Sequence, residues 1–248
     1  MVAFEAKDTP HQCFSSQPAN RFQSCFTTDI KQHAYWLDLL PAQPSLPDRP
    51  VKTVDVVIVG SGYIGLNAAL ETIRGGRSTL VLDSENPGCG CSTRNGGQIS
   101  TSIKPSLSDL TAKYGLEKAC AIRKEGENAL QWIETLIMRE SIKCDFNRSG
   151  RYHAAHTPKH YEAIARDAEQ LNNKEGIEAY TIPKADQRKE LGSDVYFGGV
   201  VFPRHASVNP GLYHRGLLDR AVEAGVHVTG NCHVSGLLRE KNRFILST

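Results

Sequence analysis

Residues 54–59 read Val-Asp-Val-Val-Ile-Val, a β-branched and almost wholly apolar run that suits a strand buried on both faces. Gly60-Ser61-Gly62-Tyr63-Ile64-Gly65 follows without a gap. An apolar-periodic stretch over 64–74 comes next and stops at Gly75-Gly76. Ser78-Thr79-Leu80-Val81-Leu82 is a second buried run, closed by Asp83. Strand, tight turn, helix and strand make one half of a doubly wound sheet, in which the helix carries the chain back so that the strands run parallel. The fold class expected is therefore α/β, with a Rossmann-like, mostly parallel sheet.

The turn has the spacing G-x-G-x-x-G, and each glycine has a physical task. Gly60 permits the tight turn, Gly62 lets backbone approach a diphosphate with no Cβ in the way, and Gly65 lets the helix pack close to the sheet. The helix start presents free N–H groups and the positive end of its dipole to anionic oxygens. Asp83 stands 18 residues beyond Gly65, just after the second strand, where a carboxylate can accept hydrogen bonds from an adenosine ribose. An acid there disfavours a ribose 2′-phosphate, and hence NADP. The fingerprint by itself leaves FAD and NAD both open.

The remaining chain fits a large mixed protein. Residues 1–34 are polar and aperiodic and read as an irregular extension. Ala34 to Leu40 is a short apolar lead-in, and prolines 41, 44, 47 and 50 mark an extended linker. Residues 106–140 read as helix, 150–155 as strand, 158–172 as a polar helix, and 177–203 as short strands and turns. A helix over 211–224, a strand over 226–229 and a strand–turn–strand over 234–248 complete the series. The 29 basic and 27 acidic residues nearly cancel, which argues against a nucleic-acid or polybasic membrane-surface binder. No apolar run reaches the roughly 18 residues of a membrane span, and the N-terminus lacks a signal peptide's pattern. Seven scattered cysteines without a CxxC pair suit a reducing, cytoplasmic setting.

A second glycine-rich loop follows Asp83: Gly88-Cys89-Gly90-Cys91-Ser92-Thr93-Arg94-Asn95-Gly96-Gly97-Gln98-Ile99. It resembles the loop after the second strand in the D-amino-acid-oxidase-like FAD-dependent oxidoreductases. The γ-glutamylputrescine oxidase type, whose loop commonly reads G-x-G-A-S-G-R-N-G-G-Q, is the nearest in appearance. Cys91 and Thr93 stand where that loop has Ala and Gly. Tyr35-Trp36, Gly198-Gly199, Val208-Asn209-Pro210 and the helix–glycine–strand stretch from Leu217 to Leu237 extend the resemblance from about residue 35 to the end.

The resemblance implies FAD as cofactor. Gly60, Gly62, Tyr63, Ile64 and Gly65 would border its pyrophosphate, and Asp83 with Ser84 would hold its ribose. Ser92, Arg94, Asn95, Gly96, Gly97 and Gln98 would line the pyrophosphate, ribityl chain and flavin ring, and the backbone of Val234 would contact the adenine. Arg and Asn supply donors and glycines allow close approach, in keeping with those roles.

The resemblance further implies oxidation of a C–N bond in a small amine or amino acid. Hydride would pass to flavin N5, an imine would form, and oxygen or another acceptor would take the electrons. It names no catalytic residue in this stretch. The implied division is a lead-in and linker over 35–53, a first FAD-binding part over 54–147, a partial substrate domain over 148–207 and an incomplete second FAD-binding part over 208–248. Only three parallel strands are expected, at 54–59, 78–82 and 226–229, so the chain reads as an N-terminal portion whose incomplete sheet would favour self-association. A NAD-dependent dehydrogenase is an alternative that leaves Ser92–Gln98 unexplained. A catalytically incompetent FAD-binding module is another.

Other features carry less. His153, His156 and His160 have no acidic or Cys ligand at fitting spacing, so no metal site is expected. Tyr114 and Lys118 fit Y-x-x-x-K but lie behind the wrong glycine pattern for a short-chain dehydrogenase, and the Asn147 sequon would go unused in the cytoplasm. Arg204 and His205 read as a solvated turn.

Overall fold

The computed structural model describes residues 2–5, 27, 29–31 and 34–248, with backbone alone at 2–5, 174 and 175. Most of the expected irregular extension over 1–34 lies outside the described residues. Within it, Val2–Glu5 forms a strand, β1. The chain divides into two compact units: residues 1–96, 142–144 and 209–248, and residues 97–141 and 145–208.

In the first unit the apolar run at 54–59 becomes two strands, β2 (Thr53–Val54) and β3 (Val56–Val59). The break falls at Asp55, whose carboxylate accepts from the Ser78 N–H and hydroxyl at 2.9 and 2.7 Å. Helix α1 (Tyr63–Arg74) crosses to β4 (Thr79–Leu82). Later come α5 (Pro210–Glu223) and β10 (His227–Thr229). The strands pair in the parallel order β10-β4-β3, so the doubly wound core is present as three strands. All four residues of central β4 are buried, whereas edge strand β3 leaves Val59 63% exposed.

Leu66 and Leu70 of α1, Leu80 and Leu82 of β4, and Leu217 and Leu218 of α5 are fully buried. Each such side chain contributes roughly 2–3 kcal/mol of apolar burial. Helix α5 begins where Asn209 caps it, its side chain accepting from the Leu212 N–H at 3.1 Å, with Pro210 at the first helical position. Strands β11 (Gly236–Glu240) and β12 (Arg243–Ser247) form a hairpin, the strand–turn–strand expected over 234–248. Strand β1 lies parallel to β12 and antiparallel to β2, giving a second sheet in the order β11-β12-β1-β2.

The proline-rich linker is strapped to this unit. The Arg215 guanidinium donates to the carbonyls of Pro41 and Ala42 at 2.8 and 2.7 Å. Trp36 and Leu40 lie against Gly211, where a Cβ would stand 3.2 and 3.1 Å from them.

The second unit holds β5 (Gln98–Ile99) paired with β9 (Ala206–Ser207). The helical stretch over 106–140 is two helices, α2 (Leu107–Tyr114) and α3 (Leu116–Arg139). They are divided by Gly115 at φ +81°, a conformation that ends a helix and that side-chain-bearing residues rarely adopt. Strands β6 (Arg151–Ala154), β7 (Tyr180–Ile182) and β8 (Gly199–Phe202) form an antiparallel sheet in the order β6-β8-β7. Helix α4 (Pro158–Gln170) covers it, burying Ile164 and Ala168 with Ala155, Ala179 and Val200.

Helices α2 and α3 fall in the second unit, with residues 148–207. Gly126 of α3 lies so close to the Thr101 carbonyl that no Cβ would fit. Arg123 donates to the carbonyls of Ile103 and Pro105 at 3.0 and 3.3 Å. The solvated turn expected at 204–205 holds at Arg204 alone. Arg204 is exposed, but His205 is 3% exposed, bonded to Thr101 and stacked on the Phe202 ring.

Candidate functional site

Strand β3 delivers the chain into the first glycine turn. Gly60, at φ +98°, donates its N–H to the Leu82 carbonyl at 2.7 Å, which ties the turn to β4. Gly65 sits against the Gly60 carbonyl so closely that a Cβ would overlap it. The first turn of α1 is thereby pressed onto the end of β3. Gly62 is the N-cap of α1, and a Cβ there would stand 3.1 Å from the Ser92 hydroxyl. Ile64 projects outward at 88% exposure.

The N–H groups at this helix start are a concentrated donor set. The first backbone bond of the helix runs from Leu66 N–H to Gly62 O at 3.0 Å, so the N–H groups of Ile64 and Gly65 precede it. The Tyr63 N–H meets the Ser92 hydroxyl at 3.2 Å. Donors without side-chain bulk at residues 62 and 65, beside the turn that Gly60 closes, suit a diphosphate.

Asp83 ends β4 and lies against the same turn. One carboxylate oxygen accepts the Ser61 N–H at 2.7 Å and the Ser61 hydroxyl at 2.5 Å, and the other accepts the Glu85 N–H at 3.1 Å. A carboxylate has about four lone-pair sites, so acceptor capacity remains for further hydroxyls. Neighbouring Ser84 is exposed.

The second glycine loop contains a single helical turn over Cys91–Thr93. Thr93 is fully buried, and its hydroxyl donates to the carbonyls of Gly88 and Gly90 at 2.5 and 3.2 Å. Its extra bulk thus fills the inside of the loop. Asn95 donates its side-chain amide to the carbonyls of Cys91 and Ser92 at 3.2 and 3.0 Å. The Asn95 carbonyl accepts the Trp36 indole N–H at 2.8 Å, so the lead-in holds this loop. Arg94 and Gly96 are exposed.

Tyr63 reaches the other way, donating its hydroxyl to the Pro210 carbonyl at 3.0 Å and packing on the Tyr213 ring at 5.0 Å. Burial holds the Tyr63 phenol above its ordinary value, opposed by a hydrogen bond from Asn95, and burial pushes Tyr213 up to about 12. Half-buried Val234, between β10 and β11, packs on the cluster that includes Leu80 and Leu82.

The first unit therefore brings together Gly60, Gly62, Tyr63, Ile64, Gly65, Asp83 and Ser92, with Ser84, Arg94, Asn95 and Gly96 on adjoining turns. Gly97 and Gln98 belong to the second unit, where the Gly97 carbonyl accepts the Val208 N–H at 2.8 Å and Gln98 pairs with Ser207. Ser61 and His214 are polar groups of this site that the motifs do not mark. Their only signal in sequence is that Ser61 falls inside the first glycine turn.

Residues 55–248 match the family model described as FAD dependent oxidoreductase. The chain is 27% identical over 196 residues to a probable oxidoreductase, OrdL, of Haemophilus influenzae, covering 79% of this chain and 45% of that protein. It is 30% identical over 161 residues to gamma-glutamylputrescine oxidoreductase of Escherichia coli, covering 64% of this chain and 37% of that one. The chain thus spans less than half the length of these relatives. Its fold is similar to glycine oxidase from Geobacillus kaustophilus, with TM-score 0.64 and 19% identity over 78% of this chain and 50% of that one. It is also similar to L-proline dehydrogenase from P. horikoshii, with TM-score 0.58 and 16% identity over 77% and 50%. A family match over most of the chain, together with a glycine turn, a strand-end acid and a second glycine loop in one unit, establishes that this chain belongs to the D-amino-acid-oxidase-like FAD-dependent oxidoreductases.

Proposed function

We propose that the chain binds FAD and serves in the oxidation of a C–N bond of a small amine or amino acid. The observation that carries this is the α1 N-terminus: bulk-free backbone N–H donors with Asp83 anchored beside them. Gly60, Gly62, Tyr63, Ile64 and Gly65 would border the pyrophosphate. Asp83 and Ser84 would face the ribose, and Val234 the adenine. Ser92, Arg94, Asn95, Gly96, Gly97 and Gln98 would line the rest. When bound, FAD supplies a two-electron acceptor for hydride from the carbon bonded to nitrogen, leaving an imine, with oxygen or another acceptor reoxidising it. The chain's own part is to hold and orient: N–H donors to the phosphates, a carboxylate to the ribose hydroxyls and a guanidinium at Arg94 for anionic oxygens. The match to gamma-glutamylputrescine oxidoreductase supports an amine as substrate.

The open side of β3, with Val59 exposed, and the exposed Leu237, Leu238 and Phe244 support self-association. Free thiols at cysteines 91, 120 and 232 support a cytoplasmic location. Among the described residues no helix is long and apolar enough to cross a membrane.

The test is a visible spectrum of the purified chain, followed by denaturation and chromatography of any released chromophore. Released FAD supports the reading, and reduction of the bound flavin by amines or amino acids then identifies the substrate class. A protein that stays colourless after incubation with FAD refutes it.

A further inference from the structure

We propose that His214 is a positioning residue for FAD, setting the direction of the Gly62 N–H by anchoring the preceding carbonyl. His214 lies on α5 and is 2% exposed. Its Nε2 is 2.7 Å from the Ser61 carbonyl oxygen. A carbonyl only accepts, so this nitrogen carries the proton. Burial holds the imidazole below its ordinary pKa, in keeping with a neutral ring.

The Ser61 peptide is held at every polar group. His214 takes the carbonyl, and Asp83 takes the N–H and the hydroxyl. In a trans peptide the C=O and the following N–H point in opposite directions. Drawing the Ser61 carbonyl inward to His214 therefore turns the Gly62 N–H outward, beside the free N–H groups of Ile64 and Gly65. Glycine at 62 imposes little restraint on this peptide, so the orientation depends on the anchors. The same imidazole touches the second loop. A Cβ on Gly88 would lie 3.2 Å from its Cε1 and Nδ1, and Gly88 offers its carbonyl to Thr93. One buried ring thus seats both glycine turns. No motif of the family resemblance includes His214.

The proposal rests on the FAD reading above, and the experiment separates the two. FAD is titrated into apo-protein, wild type and variants, and followed by flavin fluorescence, with thermal unfolding of each apo-protein in parallel. His214→Phe keeps a ring and loses the donor, and is expected to raise the Kd for FAD about tenfold. His214→Gln, whose amide can reach the same carbonyl, is expected to remain within about threefold of wild type. Leu217→Ala, on the same helix and fully buried, loses packing alone and is expected to lower the unfolding midpoint with little change in Kd. A Phe variant that binds like wild type overturns the proposal. So do Phe and Gln variants equally weakened, or a Leu217 variant that loses as much affinity as they do. If the Phe variant does not fold, comparison of the Gln variant with an Asn variant too short to reach decides in the same way. A wild-type chain that takes up no FAD overturns the functional reading and the proposal together.

Discussion

His205 should make the second unit acid-labile. The side chain is buried, stacked on Phe202 with ring centroids 5.2 Å apart, and its Nδ1 has no hydrogen-bond partner. Its other nitrogen shares a 3.2 Å bond with the Thr101 hydroxyl. Burial, reinforced by the charge of Arg151, pushes its pKa from 6.5 down to about 4. The folded state thus keeps the imidazole neutral over a range in which the unfolded chain protonates it. The unfolded state then binds more protons, so stability is full above about pH 6.5 and falls as pH drops toward 4. Linkage over this interval gives a loss of about 3 kcal/mol between pH 7 and pH 4.

The assay is urea unfolding at several pH values. The chain has two tryptophans, Trp36 in the first unit and Trp132 in the second. Trp132 fluorescence in a Trp36→Phe background therefore reports on the unit that holds His205. His205→Gln removes the titration and can keep the Thr101 bond. Its own cost at pH 7 cancels, because the comparison is of slopes. The variant is expected to lose about 3 kcal/mol less than its parent over the interval. Parallel pH profiles for parent and variant would refute the reasoning.

Four further outcomes follow from the first unit. Gly65→Ala drives a Cβ into the Gly60 carbonyl and is expected to weaken FAD binding at least about tenfold and destabilise by about 1–3 kcal/mol, by titration and thermal melts. Gly62→Ala, whose Cβ would meet only the Ser92 hydroxyl at 3.1 Å, is expected to be milder. Thr93→Gly, although it introduces the residue of the loop that 88–99 resembles, removes two bonds to the Gly88 and Gly90 carbonyls. It is expected to lower stability by about 1–2 kcal/mol in urea unfolding. Arg215→Met strips the Pro41 and Ala42 carbonyls of their donor and should speed thermolysin cleavage in the 41–50 linker, read by mass spectrometry of early fragments.

What sequence reasoning reached here was what depends on near neighbours. The β-branched run and the glycine turn declare themselves because burial on both faces and a missing Cβ are requirements met within a few residues. The strand expected over 54–59, split at Asp55, shows where that stops. Its carboxylate is taken by Ser78, beyond an entire helix, and no periodicity reports such a partner. Gly115 divides the helical stretch for a reason legible only in its left-handed conformation.

The site divides along the same line. Its glycines and Asp83 were marked by spacing, while the groups that hold them were not. His205 and His214 lie in stretches that look like an ordinary turn and an ordinary amphipathic helix. Both find hydrogen-bond partners far away in sequence, Thr101 at a separation of 104 and Ser61 at 153. A buried histidine is stable only where such a partner waits, since an unsatisfied ring costs about 1–3 kcal/mol. The partner is therefore as much a part of the requirement as the histidine itself. Replacing Ser61 by Gly would leave the G-x-G-x-x-G spacing intact. It would also remove the hydroxyl that Asp83 accepts, while the carbonyl that His214 holds would remain. Motif spacing and the support beneath it can thus be lost separately, and the second loss is invisible to any pattern drawn from the first.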